Sequence, residues 1–427
     1  MAEQPVSTVL QDERPHTTAG SWDLVISRAA VKGWSEPADI FVREGMIAEV
    51  RPSDEGQPAE AENVVDAAGR IVLPGLIEAH IHLEKAYLLD KVRKDAQTLS
   101  EAISLTAEAK QQFTPADMRD RALRVLRRAV RHGVTTLRCH VELDDTLSLT
   151  AMETMLELRH EVRDSITLQV AAFPQEGIFQ QHHGPRLMQE AMSLGADVVG
   201  GIPYNDYSSD EHLDFVFELA QEFNAPLDLH IDFSDNPAQR DILKAVERTH
   251  QAGMQGSVTA GHLTSLGSVP AAEAQEMSAA IAEAGISVVT LPATDVYLNG
   301  REDEYSPRRG LTPVRTLMET GANVALATNN IQNPFTPFGR GNILDTAVLL
   351  AELCHMGTAR DAERVVDMMT ENAASAIQVP GYGVQPGSPA DLVMFEAESA
   401  RGVLTDCFEP LKVWKNGQLA TPEELPK

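Results

Sequence analysis

One local pattern recurs eight times across residues 73–380: an apolar run of strand length, followed by a stretch with helical periodicity. The runs are 76–82, 134–141, 166–173, 197–202, 226–232, 257–262, 286–291 and 323–328. Amphipathic segments such as 117–131, 211–223, 239–252 and 271–284 lie between them. Runs this short that alternate with helical periods argue for parallel strands covered by helices. Gly133, Gly195, Gly285 and Gly321 precede strands, where glycine ends a helix by adopting a left-handed conformation. Eight strand-plus-helix units in roughly 300 residues predict a (β/α)8 barrel. A doubly wound sheet would want a glycine-rich phosphate turn after an early strand, and neither GxGxxG nor GxxxxGKS occurs.

The two ends have another texture. Residues 23–27, 39–43 and 46–50 alternate near period 2, and 390–395 and 411–417 do likewise. The expected organisation is therefore a disordered tail (1–21), a composite β-sandwich (22–72 plus 381–427) and a barrel (73–380). The tail is polar, carries Glu3, Asp12 and Glu13 and lacks the apolar core of a signal peptide. No apolar run is long enough to span a bilayer. The formal charge of −28 argues against partners that are polyanions, which excludes general nucleic-acid and anionic-membrane binding. Cys139, Cys354 and Cys407 are sparse and widely spaced, so the chain has no disulfide framework and is expected to hold reduced, buried thiols in the cytoplasm. A small-molecule substrate is the expected partner, and homo-oligomerisation is left open.

In a (β/α)8 barrel the reactive groups stand at the C-terminal ends of the strands. Five of the thirteen histidines fall at such ends: His80, His82, His140, His230 and His262. Residues i and i+2 of a strand share a face, so His80 and His82 both point into the barrel mouth, where two imidazoles can bind one cation such as Zn²⁺ or Fe²⁺. His140 and Glu142 share a face at the end of the second run, where His140 is expected to pack behind the site. His182 and His183 lie in a polar loop and are expected at the surface. Arg308 and Arg309 either position a barrel helix or bind an anion.

Several stretches together carry a family resemblance: Pro74-Gly-Leu-Ile-Glu-Ala-His-Ile-His82, Ala172-Phe-Pro-Gln-Glu-Gly177, Gly195-Ala-Asp-Val-Val-Gly-Gly201, Thr259-Ala-Gly-His262, Arg308-Arg-Gly-Leu-Thr312 and Pro334-Phe-Thr-Pro-Phe-Gly339. From about Asp23 onward the chain resembles the amidohydrolase superfamily, in its cytosine deaminase-like branch, and is also similar to the triazine N-isopropylammelide amidohydrolases. The resemblance implies a (β/α)8 barrel with a β-sandwich built from both chain ends. It implies one divalent metal held by His80, His82 and His230, with His262 polarising the substrate and Gln175 contacting its ring. The implied reaction is hydrolysis of a non-peptide C–N bond in a small cyclic nitrogenous compound, by attack of metal-bound water, with a deaminase or cyclic amidase outcome.

The chain departs from the family in two places. The last strand of the family supplies an aspartate that ligates the metal and shuttles the proton; Asn329 stands there, bringing an amide oxygen without charge or basicity. After His230, cytosine deaminases carry a glutamate where this chain has Phe233, which speaks against cytosine. The triazine branch has a histidine where this chain has Asp232. On the face of His230, Asp232 is the expected replacement acid–base; the competing reading is a carboxylate that caps the next helix. Lys85 is expected to enter the mouth with Glu84 beside it, and Phe173, Tyr204, Tyr297 and Phe335 suit a flat ring. The alternative function is a metal-deficient barrel acting as a lyase, an isomerase or a small-molecule binding protein.

Overall fold

The computed structural model describes residues 22–54, 61–406 and 409–426; the expected tail and Cys407 lie outside them. Four strands open the chain: β1 (Trp22–Ala29), β2 (Ala38–Arg43), β3 (Met46–Pro52) and β4 (Ala61–Asp66), in the order β3-β2-β1-β4. β2 runs antiparallel to β1, with Leu24 opposite Val42 and Ile26 opposite Ile40, whereas β4 runs parallel to β1. A second sheet joins β5 (Val72–Pro74) to three strands from the far end of the chain.

The barrel strands follow: β6 (Leu76–Ile81), β7 (Val134–Glu142), β8 (Thr167–Phe173), β9 (Val198–Gly201), β10 (Leu227–Ile231), β11 (Val258–His262), β12 (Ser287–Thr290) and β13 (Val324–Leu326). Each pairs in parallel with the next. The ring closes where Asn329 N donates to the His80 carbonyl at 3.0 Å and His82 N donates to the Asn329 carbonyl at 3.1 Å. The fold is a (β/α)8 barrel with additional β-sheets at its termini. The second sheet is completed by β14 (Leu392–Met394), β15 (Lys412–Lys415) and β16 (Gln418–Leu419), with Leu392 opposite Pro74.

Leu24, Ile26, Ile40, Val42 and Ile47 from the first sheet and Leu392, Met394 and Trp414 from the second form one buried apolar cluster. Alternation along each strand places these side chains on facing surfaces. β4 escaped the period-2 reading because its Ala-Glu-Asn-Val-Val-Asp sequence is largely exposed. β5 is three residues long and merges with the apolar start of β6.

The helix Pro115–Arg131 shows how the covering layer is specified. Thr114 accepts the Asp117 amide at 3.2 Å as N-cap, and Pro115 opens the first turn with no N–H to satisfy. Met118, Ala122, Val125, Leu126 and Ala129 are buried at helical spacing, and Gly133 follows the end with φ +90°. Similar helices, among them Ser209–Glu222, Asp241–Ala252 and Ala271–Glu283, enclose the barrel in one large apolar cluster.

Candidate active site

Period-2 alternation aims Glu78, His80 and His82 of the first barrel strand, Arg138, His140 and Glu142 of the second, and Asp228 and His230 of the fifth inward; all are buried. At the floor, Arg138 pairs with Asp228 at 2.7 Å and donates to the Ile377 carbonyl at 3.1 Å. Thr328 donates from its amide and its hydroxyl to Glu78, whose carboxyl burial pushes up to about 7. Arg138 and Asp228 were missed in the sequence, although each stands two residues before a strand-end histidine.

Above this floor the imidazoles converge. His80 Nε2 lies 3.0 Å from His230 Nε2, and His82 Nε2 lies 3.2 Å from it. His82 Nδ1 sits 3.1 Å from the His140 carbonyl, so it carries its proton there and leaves Nε2 bare. Burial first, and charged neighbours second, hold His80, His82 and His230 well below the ordinary imidazole range. In the tautomer with Nε2 bare, as at His82, nitrogens gathered on one point repel through their lone pairs, and a cation removes that repulsion. The donor set therefore fits a metal ion, and these three atoms are close enough to hold one together. Phe173 stacks on His230 at 4.0 Å. A Cβ at Gly261 would stand 3.2 Å from His80 Cε1, so glycine there makes room for the cluster. His140 lies 4.0 Å from His80 between ring centroids, behind the converging nitrogens.

A second buried group of charges borders the cluster. Lys85 reaches Glu142 at 2.5 Å and the Gln175 side-chain oxygen at 2.9 Å, and its ammonium stands 4.3 Å from the centre of the Phe335 ring. Lys110 reaches Glu142 at 2.5 Å and both Asp144 and Glu176 at 2.7 Å. Burial alone would raise the Glu142 carboxyl, but Lys110 and Lys85 hold it down to about 2. Glu142, rather than Glu84, is the partner of Lys85. Glu84 instead accepts the Glu142 amide at 3.3 Å, and its burial, together with the nearby Glu142 charge, pushes its carboxyl up to about 7.

The chain turns sharply where the fifth, sixth and eighth strands end. Asp232, His262 and Asn329 have φ of +54°, +72° and +64°, a region costly for residues other than glycine. This corrects the placing of Asp232. The turn breaks the alternation that would have put Asp232 beside His230, and both carboxylate oxygens accept amides of the helix Asp241–Ala252, from Asp241 at 2.9 Å and Ile242 at 3.0 Å. Burial still pushes its carboxyl up to about 7. At His262 the turn brings the ring within 5.4 Å of His230, where it stacks on Phe233 at 4.0 Å. His262 Nδ1 meets Asp295 Oδ1 at 2.7 Å. Asp295 was missed in the sequence; its one signal is its place just after Pro292, where a short helix follows the seventh strand. Asn329 lies beside the cluster through its backbone, and its side-chain oxygen accepts from Asn330 at 2.8 Å.

Ala96, Ala102, Leu105, Leu298 and Phe335 join Phe233 in an apolar cover over the mouth, with Tyr204 and Tyr297 against it. A cavity of about 490 Å³ opens beside this cover between Thr98, Phe233, Ser234, Asn236 and Leu298. His182 and His183 are exposed, and His183 pairs with Asp145 at 3.0 Å. Arg308 is spent on Asp303, at 2.8 Å, and on the Asp235 carbonyl.

Residues 63–420 match the model of the amidohydrolase family, and the chain belongs to that family. It is similar to the N-isopropylammelide isopropyl amidohydrolase of Pseudomonas sp. (strain ADP), with 26% identity over 95% of this chain and 98% of that protein. It is also similar to the pterin deaminase of Rhizobium rhizogenes, with 29% identity over 84% of this chain and 82% of that protein. Among solved structures, 5-methylcytosine deaminase from Klebsiella pneumoniae liganded with phosphonocytosine superposes with a TM-score of 0.88 and 32% identity, covering 92% of this chain and 97% of that one. Among the described residues, no helix is long and apolar enough to cross a membrane.

Proposed function

We propose that the protein is a metal-dependent hydrolase of a non-peptide C–N bond in a small cyclic nitrogenous compound, with a deaminase or cyclic amidase outcome. The convergence of three neutral imidazoles at the C-terminal mouth of the barrel carries this reading. His80, His82 and His230 would hold one divalent cation, zinc or iron, with Asn329 beside them. Such a cation lowers the pKa of a water from 15.7 to about 7. Lys85 and Gln175 bind the substrate: with its oxygen on Lys85, the Gln175 amide presents N–H donors to a ring nitrogen or carbonyl. His262 handles the proton at the leaving nitrogen, and the apolar cover excludes bulk water. Residues 22–72 with 381–427 form the supporting domain and 73–380 the catalytic barrel. The charge balance and sparse cysteines support a cytoplasmic protein acting on small molecules.

The neutral amide of Asn329 favours a second reading, a metal-poor barrel that is a lyase, an isomerase or a binding protein. Elemental analysis paired with a screen of cyclic ureas, pyrimidines, pterins and triazines separates the two. One equivalent of zinc or iron, with turnover lost to chelators, supports the hydrolase. Turnover or binding that survives in metal-free protein supports the second reading.

A further inference from the structure

A hydrolytic step needs an acceptor for the proton of the attacking water, and most acids near the cluster are engaged elsewhere. Asp228 is held by Arg138, Glu142 by Lys85 and Lys110, and Asp232 by two helix amides. Glu84 lies against the Glu142 backbone. Asn329 and Gln175 are amides and accept no proton at neutral pH. His80, His82 and His230 turn their Nε2 atoms on one another, and His140 lies behind them with its Nε2 3.6 Å from Asp228.

His262 is placed differently. Phe233 covers one face of its ring, with the planes 19° apart, and the Asp295 carboxylate meets Nδ1 at 2.7 Å. Burial pushes the Asp295 carboxyl up, while the His262 ring and the Leu291 amide, 3.3 Å from its other oxygen, act the opposite way. A carboxylate in this position accepts Nδ1–H, which leaves Nε2 with a free lone pair. Thr312 donates to the His262 carbonyl and steadies the backbone at this turn.

We infer that Asp295 is a positioning residue that fixes His262 with Nδ1 protonated and Nε2 bare, so that the pair forms the acid–base unit of the reaction. The inference rests on the hydrolytic reading above. Water adds to the carbon bearing the leaving nitrogen: a C–O bond forms as the C=O or C=N π bond opens, its electron pair going to that oxygen or ring nitrogen, and the water proton passes to His262 Nε2. Asp295 stabilises the resulting imidazolium through Nδ1–H. Collapse then re-forms a π bond at that carbon and breaks the C–N bond, whose electron pair goes to nitrogen, and Nε2 returns its proton to that nitrogen. No oxidant or reductant is consumed.

The tautomer is read directly by ¹⁵N NMR of histidine-labelled protein, with His262 assigned by the signal lost in His262→Gln. The expected wild-type state has the proton on Nδ1 and a bare Nε2. Asp295→Asn should invert or mix the tautomers and lower kcat on the order of 10²–10⁴, the usual weight of a positioned acid–base, with KM nearly unchanged. Asp295→Glu should keep the wild-type tautomer and recover part of the rate. A wild-type proton on Nε2, an unchanged tautomer in Asp295→Asn, or an unchanged kcat in that variant would overturn the inference. If no substrate of the screen is turned over, the hydrolytic reading fails by itself, and the NMR measurement still decides the pairing.

Discussion

Asn329 and His80 are joined through their backbones, with the amide of the first donating to the carbonyl of the second at 3.0 Å, so the barrel closes beside its own imidazole cluster. A charge introduced at residue 329 therefore enters at the strand end that adjoins the cluster. Asn329→Asp adds an anion of almost equal size next to a divalent ion, a large local electrostatic change. Metal occupancy at a fixed free-metal concentration should rise, as measured by elemental analysis after equilibrium dialysis. Equal occupancy in the two proteins would place the side chain outside the cation's reach.

His80→Ala and His230→Ala each remove one of the converging nitrogens and should abolish cation binding and turnover together. Calorimetric titration with zinc checks the first loss. Tight binding retained in both variants would show that the cation sits elsewhere.

Asp232→Ala removes two bonds to helix amides. The expected result is a loss of about 1 kcal/mol in stability, typical of a lost N-cap, without the rate penalty on the order of 10²–10⁴ that loss of a catalytic acid–base brings. Chemical denaturation and kcat measured on the same preparation distinguish the two roles.

The barrel was legible because its eight apolar runs are separated by stretches of helical periodicity, and period 2 on the first strand brought His80 and His82 to one side. The same rule misled at Asp232, where a backbone turn that no residue type announces ends the alternation. Asp295 was hidden for another reason. Its partner His262 lies 33 residues away, and nothing local marks a carboxylate on a short helix as the mate of a strand-end histidine.

Glu142 gives the chain an acid-sensitive component. Its folded-state carboxyl is held down to about 2 by Lys110 and Lys85 against the effect of burial, below the ordinary 4.5. The stabilisation is thus complete above about pH 4.5 and is lost as pH falls toward 2, and is worth on the order of a few kcal/mol. Glu142→Gln should lower stability at neutral pH and flatten its decline between those values. Parallel slopes in the two proteins, followed by thermal melts, would assign the acid limb to other groups.

Deletion of residues 388–426 removes the strands that pair with Val72–Pro74 and the Trp414 side chain that packs with Leu24 and Ile26. The remaining chain should lose its cooperative melt and expose the first sheet to proteolysis. A soluble, cooperatively melting truncation would show that residues 22–72 hold together without it.

The left-handed turns at Asp232, His262 and Asn329 also set where this molecule can be cut and rejoined. A loop exchanged by splicing just before one of these positions would replace the residue that takes the left-handed conformation here, and a residue less tolerant of it would re-aim whatever follows. Splicing after them keeps the native exit direction, so chimeras of this barrel should tolerate junctions beyond residues 232, 262 and 329 better than junctions a residue or two earlier.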